Sequence, residues 1–174
     1  MELVREGTVA VLRMRAGKAN AMGPAFVRAL GALLEELAAG DAGAAVITGD
    51  GRFFSAGRAL PELFELDRTS MRDFMLDFER VGELAFTLPM PVVAAIDGHA
   101  IAGGCVLALH CDRRVAAEGA GRIGLSEIAL GIGLPPSALE PLRLAVPPSS
   151  IAPIALEGRL FEPGGRARAR PRRR

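Results

Sequence analysis

The 174-residue chain has no tryptophan, no tyrosine, one lysine, two cysteines and two histidines. Each scarcity excludes a chemistry. Cys105 and Cys111 make no disulfide framework. Six positions apart on one predicted helix, they face different sides and cannot bridge each other. A closed zinc site built from His99, Cys105, His110 and Cys111 would need ligands from opposite faces of that short helix, which argues against it. Neither histidine belongs to a serine-hydrolase motif, and Gly124-Leu125-Ser126-Glu127-Ile128 lacks the second glycine of a nucleophile elbow. Gly131-Ile132-Gly133-Leu134-Pro135 is no dinucleotide loop. No run approaches the ~20 apolar residues of a membrane span, and MELVREGTVAVLRMR lacks a secretory apolar region. The expectation is a cytoplasmic protein with no membrane partner. No repeat of 20–50 residues is visible.

Charge is unevenly spread. The net charge is +1, but six arginines (Arg166, Arg168, Arg170, Arg172, Arg173 and Arg174) crowd the last nine residues. Residues 1–165 carry 15 basic against 20 acidic groups, a net of −5, and give no footprint for nucleic acid. The composition predicts a core over residues 1–162 and a basic Gly/Arg/Ala/Pro tail over 163–174, read as disordered rather than as a binding segment for RNA or anionic lipid. Twenty arginines against one lysine point to GC-rich coding DNA, and a frame slip in such DNA would spell Gly, Ala, Pro and Arg, the residues of PGGRARARPRRR.

What is present is apolar patterning. VAVLRMR (9–15) after Glu6-Gly7 reads as the second arm of a hairpin. Over 24–38, Phe26, Val27, Leu30, Leu33, Leu34 and Leu37 recur at helical spacing, with Pro24 suited to a first turn. Over 70–86, Met71, Phe74, Met75, Phe78, Val81 and Ala85 form a second such face. AAVITG (44–49) and VVAAI (92–96) read as buried strands, with a further strand near 114–116. Helices near 135–145 and 148–157 are interrupted by Pro141 and Pro153. Strand and helix alternate, so the fold class is α/β with at least partly parallel strands. Leu139, Leu142, Leu144, Val146, Ile151 and Ile154 have little chain after them to cover them.

Two glycine-bearing turns carry the chemistry: FFSAGRAL (53–60), placed after AAVITG, and HAIAGG (99–104), placed after VVAAI. Glycines where a helix begins let a ligand approach the backbone, and the unpaired N–H groups of a helix start attract an anion or polarised carbonyl. Donors at two such turns can converge on one oxygen and stabilise an enolate; two ordinary strand–helix turns would look the same.

FFSAG, PVVAAIDGHAIAGGCVLALHCDRRVAA and IGLSEIALGI, in this order and spacing from about residue 4 to residue 162, resemble the crotonase superfamily of enoyl-CoA hydratases and isomerases. The resemblance implies a spiral of ββα repeats, a homo-oligomer (trimer or hexamer), acyl-CoA thioesters as substrate and no permanently bound cofactor. It implies oxyanion-hole N–H groups at Arg58 and Gly103. It places Lys18, Ala21, Ala56, Gly57, Ala59, Leu60, Gly104 and Val106 along the bound thioester.

Departures from the pattern carry information. Hydratases place a glutamate directly after Gly-Gly-Cys, where this chain has Val106, while the second family glutamate is present as Glu127. Hydration ordinarily uses both carboxylates on one water, whereas one carboxylate suffices to move a proton between C2 and C4 of a 3-enoyl thioester. The stretch is most similar to single-glutamate enoyl-CoA isomerases, so Glu127 is the expected base, its pKa raised by an apolar setting that includes Val106. A hydratase working with one glutamate and an inactive acyl-CoA-binding or assembly protein are the alternatives. Ala59 stands where the family has a mostly structural aspartate, and the family's C-terminal helical trimerisation region has no counterpart after Phe161-Glu162.

Overall fold

The structure is a computed structural model describing residues 1–17, 19–119 and 121–164. Lys18 lies outside the described residues, as does the tail expected over 163–174 apart from a turn at Pro163-Gly164. The chain opens with the expected hairpin: β1 (Glu2–Glu6) pairs antiparallel with β2 (Val9–Arg13). Helix α1 (Pro24–Ala39) has proline in its first turn and buries Phe26, Val27, Leu30, Leu34 and Leu37. Burying one such leucine fully contributes roughly 1.5–3 kcal/mol. The apolar stripe of α1, not its weakly capped ends, therefore holds it in place.

The rest of the core is three ββα repeats. The first comprises β3 (Ala44–Thr48), β4 (Phe53–Ser55), α2 (Leu60–Phe64) and α3 (Arg68–Phe86). The second comprises β5 (Val92–Ile96), β6 (His99–Ile101) and α4 (Gly103–His110). The third has β7 (Arg113–Ala116), β8 (Ile123–Gly124) and a single 3-10 turn, Glu127–Leu130. Each repeat gives its first strand to one sheet, ordered β1-β2-β3-β5-β7, and its second to another, ordered β4-β6-β8. All pairs except the hairpin are parallel. This is the spiral that the resemblance implies.

One expectation is corrected here. The glycine turns do not follow AAVITG and VVAAI directly, because FFS and HAI are themselves strands of the second sheet. The chain crosses between sheets at Gly98, where any Cβ would fall on the backbone of Arg52 and Phe53. Helix α3 starts at Asp67, whose carboxylate accepts the Ser70 N–H at 2.7 Å. It buries Phe74, Phe78, Val81, Gly82 and Ala85, with Met71 and Met75 partly covered.

Helices α5 (Pro136–Ala145) and α6 (Pro148–Ala155) form despite their internal prolines. Both also carry proline in the first turn, where no N–H is needed. The expectation of uncovered apolar residues holds only in part. Leu142 is buried with Cys105, Val106, Leu109, Leu125 and Ala138 in a second core cluster, and Leu139, Val146, Ile151 and Ile154 pack against it. Leu144 and Leu156 stay exposed. Among the described residues no helix is long and apolar enough to cross a membrane.

Candidate active site

The two glycine-bearing turns meet. After β4 the chain passes Ala56 and Gly57, and Gly57 takes φ +87°, a conformation that L side chains rarely adopt. Its N–H donates to Ser55 Oγ at 3.1 Å, and Ser55 Oγ–H donates to the Asn20 carbonyl at 2.7 Å. The Met22 N–H donates to the Gly57 carbonyl (2.8 Å) and the Ala59 N–H to the Met22 carbonyl (3.2 Å). Both bonds skip Arg58, so its own N–H takes no part in this bridge.

Facing this turn is the start of α4. A Cβ on Gly57 would lie 2.9 Å from the Gly103 nitrogen, so the two turns are in contact. Gly103 N–H opens the helix, where no earlier carbonyl is available to it. The capping residue, Ala102, sits at φ 50° and ψ −123°, strained for a residue with a side chain. Its geometry is held by the Ala102 N–H on the Gly124 carbonyl (2.9 Å) and the Val106 N–H on the Ala102 carbonyl (2.9 Å). The glycine pair divides the work. A Cβ on Gly104 would fall on the Ser55 carbonyl, so Gly104 lets the helix pack on β4. A Cβ on Gly103 would meet Phe78 and Met22 at 3.3 and 3.4 Å, in the gap before the turn.

Glu127 begins the 3-10 turn and is only 3% exposed, with Oε2 buried and without a hydrogen-bond partner. Burial pushes its pKa above the ordinary carboxylate range, and its own backbone N–H, the Arg58 guanidinium and the Ser126 backbone pull it partly back. That guanidinium lies over the Phe78 ring, 5.5 Å from its centroid. The pKa shift predicts a stability signature. A carboxyl whose pKa is raised by folding binds its proton more tightly in the native state, so stability falls as pH rises from the unfolded value of 4.5 through the raised one. Glu127→Gln should be more stable than the parent at neutral pH, with the gap narrowing as pH drops toward that lower value. Urea melts at several pH values check this, and a pH-independent gap would contradict it.

The structure thus brings Gly57, Arg58 and Gly103 together with Glu127 in electrostatic reach of the Arg58 side chain. Val106 is buried and lines a small cavity with Gly103 and Phe78. Ala56 is half-buried and bonds the Ala19 carbonyl; Ala59 is buried as the cap of α2, and Leu60 begins that helix. Ala21 stands apart, on the wall of an open cleft of about 590 Å³ between the 16–23 loop and α1. Asn20 is buried: its Oδ1 accepts from Ala16, and its Nδ2 donates to the carbonyls of Met14, Phe53 and Phe54. It staples this loop to β4 rather than facing the cleft. Both cysteine thiols are pushed by burial up to about 12 and are not nucleophiles at neutral pH.

Two glycine-bearing turns thus touch where α4 opens, and a buried carboxylate oxygen without a partner belongs to a residue in electrostatic reach of the Arg58 side chain. The chain belongs to the enoyl-CoA hydratase/isomerase family, whose model matches residues 4–168. It is 34% identical to a short-chain-enoyl-CoA hydratase of Clostridium acetobutylicum over 133 residues, covering 75% of this chain and 51% of that protein. The fold superposes on an enoyl-CoA hydratase/carnithine racemase of Magnetospirillum magneticum with a TM-score of 0.85 at 27% identity, over 92% of this chain and 61% of that one. It superposes on an Mtb enoyl-CoA isomerase with a TM-score of 0.84 at 36% identity, over 92% and 70%. The chain spans 32% to 65% of the length of the first curated relatives it matches.

Proposed function

We propose that the chain is an enoyl-CoA isomerase that moves the double bond of a 3-enoyl-CoA to the 2-position. The carrying observation is that Glu127 is buried, 3% exposed, with Oε2 unpartnered and in electrostatic reach of Arg58, while by the family resemblance Val106 stands in the place of the second hydratase glutamate. The Arg58 and Gly103 N–H groups hold the thioester oxygen. Glu127 takes the proton from C2, the electrons pass to that oxygen as an enolate, and the same carboxyl returns the proton to C4. Reactant and product differ only in where one hydrogen and one double bond sit, so no permanently bound cofactor is needed. Ala21 and its cleft lie along the path of the CoA moiety, and the working protein is a homo-oligomer.

The test is turnover of 3-enoyl-CoA substrates of several lengths, with hydration of 2-enoyl-CoA measured alongside. Robust hydration by the unmutated protein would favour the hydratase reading instead, and binding without either reaction would mark an inactive acyl-CoA-binding protein. Val106→Glu supplies the missing carboxylate and should bring hydration above the parent's level. The new carboxylate enters an apolar cluster and should cost about 1–3 kcal/mol of stability, or more if it ionises there. Paired melts and hydration assays read both effects.

A further inference from the structure

Arg58 belongs to the site twice, once through its main chain and once through its guanidinium, which α3 holds. The guanidinium lies over the Phe78 ring, 5.5 Å from the centroid, and one of its nitrogens donates to Met75 Sδ at 3.8 Å. Met75 and Phe78 are three positions apart on α3, hence neighbours on one face of that helix. Among the described residues Arg58 forms no ion pair, although Glu127 stands within its electrostatic reach. The backbone brings the two together. The Gly57 turn touches Ala102, and the Ala102 N–H donates to the carbonyl of Gly124, three residues before Glu127.

A guanidinium that meets a carboxylate ordinarily closes on it as a bidentate pair. Such a pair would occupy the lone pairs with which a base takes up a proton. A buried carboxylate with no positive charge nearby has the opposite fault, because burial favours its protonated form. The arrangement here avoids both. The ring face attracts the cation, while the thioether, a weak acceptor, spends little of its donor strength. The guanidinium thus stops short of Glu127, whose Oε2 stays without a partner. Cys105, facing Glu127 from α4, adds no charge, since burial pushes its thiol up to about 12.

We propose that Arg58 is a positioning residue for Glu127: Phe78 and Met75 hold its guanidinium off the carboxylate, near enough to favour the charged base and too far to pair with it. This rests on the reading above, in which Glu127 is the base, and it agrees with the direction in which Arg58 pulls the Glu127 pKa.

The experiment measures kcat for 3-enoyl-CoA isomerisation against pH. It compares the parent with Arg58→Met, Arg58→Lys, Phe78→Leu and the double variant carrying Phe78→Leu and Arg58→Met. A base acts only when unprotonated, so kcat rises with pH through its apparent pKa. Arg58→Met should move the midpoint to higher pH, with a several-fold loss on the acid side that shrinks as pH rises. Arg58→Lys, which keeps the charge without the stacking plane, should fall between it and the parent. Phe78→Leu should free the guanidinium to close on Glu127, moving the midpoint to lower pH and lowering the alkaline plateau. The double variant should follow Arg58→Met. Midpoints do not depend on how much of a preparation is folded. An unmoved midpoint in Arg58→Met overturns the proposal, as does a Phe78→Leu midpoint that fails to fall. A fall that persists in the double variant, as water admitted to the cavity would cause, also overturns it. If no 3-enoyl substrate turns over, the isomerase reading fails. The carboxyl carbon of Glu127, followed by NMR titration of the same variants and assigned with Glu127→Gln, then decides the role of Arg58 by the same shifts.

Discussion

Replacing Glu127 with glutamine should lower isomerase turnover by about 10²–10⁴-fold, the usual worth of a positioned proton-transfer group. The substitution keeps shape and removes basicity, so affinity for a saturated acyl-CoA should be nearly unchanged. The size of the effect follows from isolation. Glu127 is 3% exposed, its Oε2 has no partner, and no histidine or thiolate stands ready to take over: His110 is committed to the Val106 carbonyl, and both thiols sit near a pKa of about 12. Burial also raises the Glu127 pKa, so the parent's kcat should climb with pH through an apparent value above 4.5, the ordinary value for glutamate. Near-parental turnover in Glu127→Gln would remove this residue from the mechanism.

Gly103→Val should reduce acyl-CoA affinity and turnover together, with kcat falling by about 10²–10³-fold if the oxyanion donor is lost. The first added carbon already meets Phe78 at 3.3 Å and both Gly57 Cα and Met22 Sδ at 3.4 Å. The two γ-carbons of valine add to that crowding and fill the gap that the proposed mechanism reserves for the thioester oxygen. Gly104→Ala is the control for ordinary packing damage: its Cβ falls on the Ser55 carbonyl, so it should lower the melting temperature. Acyl-CoA titrations, kcat measurements and thermal melts on both variants separate the two glycines. Parental affinity in Gly103→Val would mean that this glycine serves only the turn.

The long helices were legible because α1 and α3 repeat their apolar residues over 16 and 19 positions, enough turns for the 3.6-residue period to emerge. The strands β4, β6 and β8 were not, since two or three residues cannot display alternation and their glycine-rich surroundings resemble turns. Glu127 and the two glycine turns could be named from motif order. The strain at Ala102 could not, because alanine disfavours positive φ and adopts it only under the paired hydrogen bonds to Gly124 and Val106.

The bridge from Met22 that passes over Arg58 has an evolutionary consequence. A donor made of main chain has no codon of its own: nineteen of the twenty residues at position 58 would preserve its N–H, and only proline would abolish it. The guanidinium above Phe78 can therefore drift, shorten or change sign, retuning the field at Glu127, while the main-chain donor of the proposed mechanism is inherited unchanged. Side-chain scanning at position 58 will register the guanidinium, which lies over Phe78 and beside Met75 Sδ, and remain blind to the main-chain N–H.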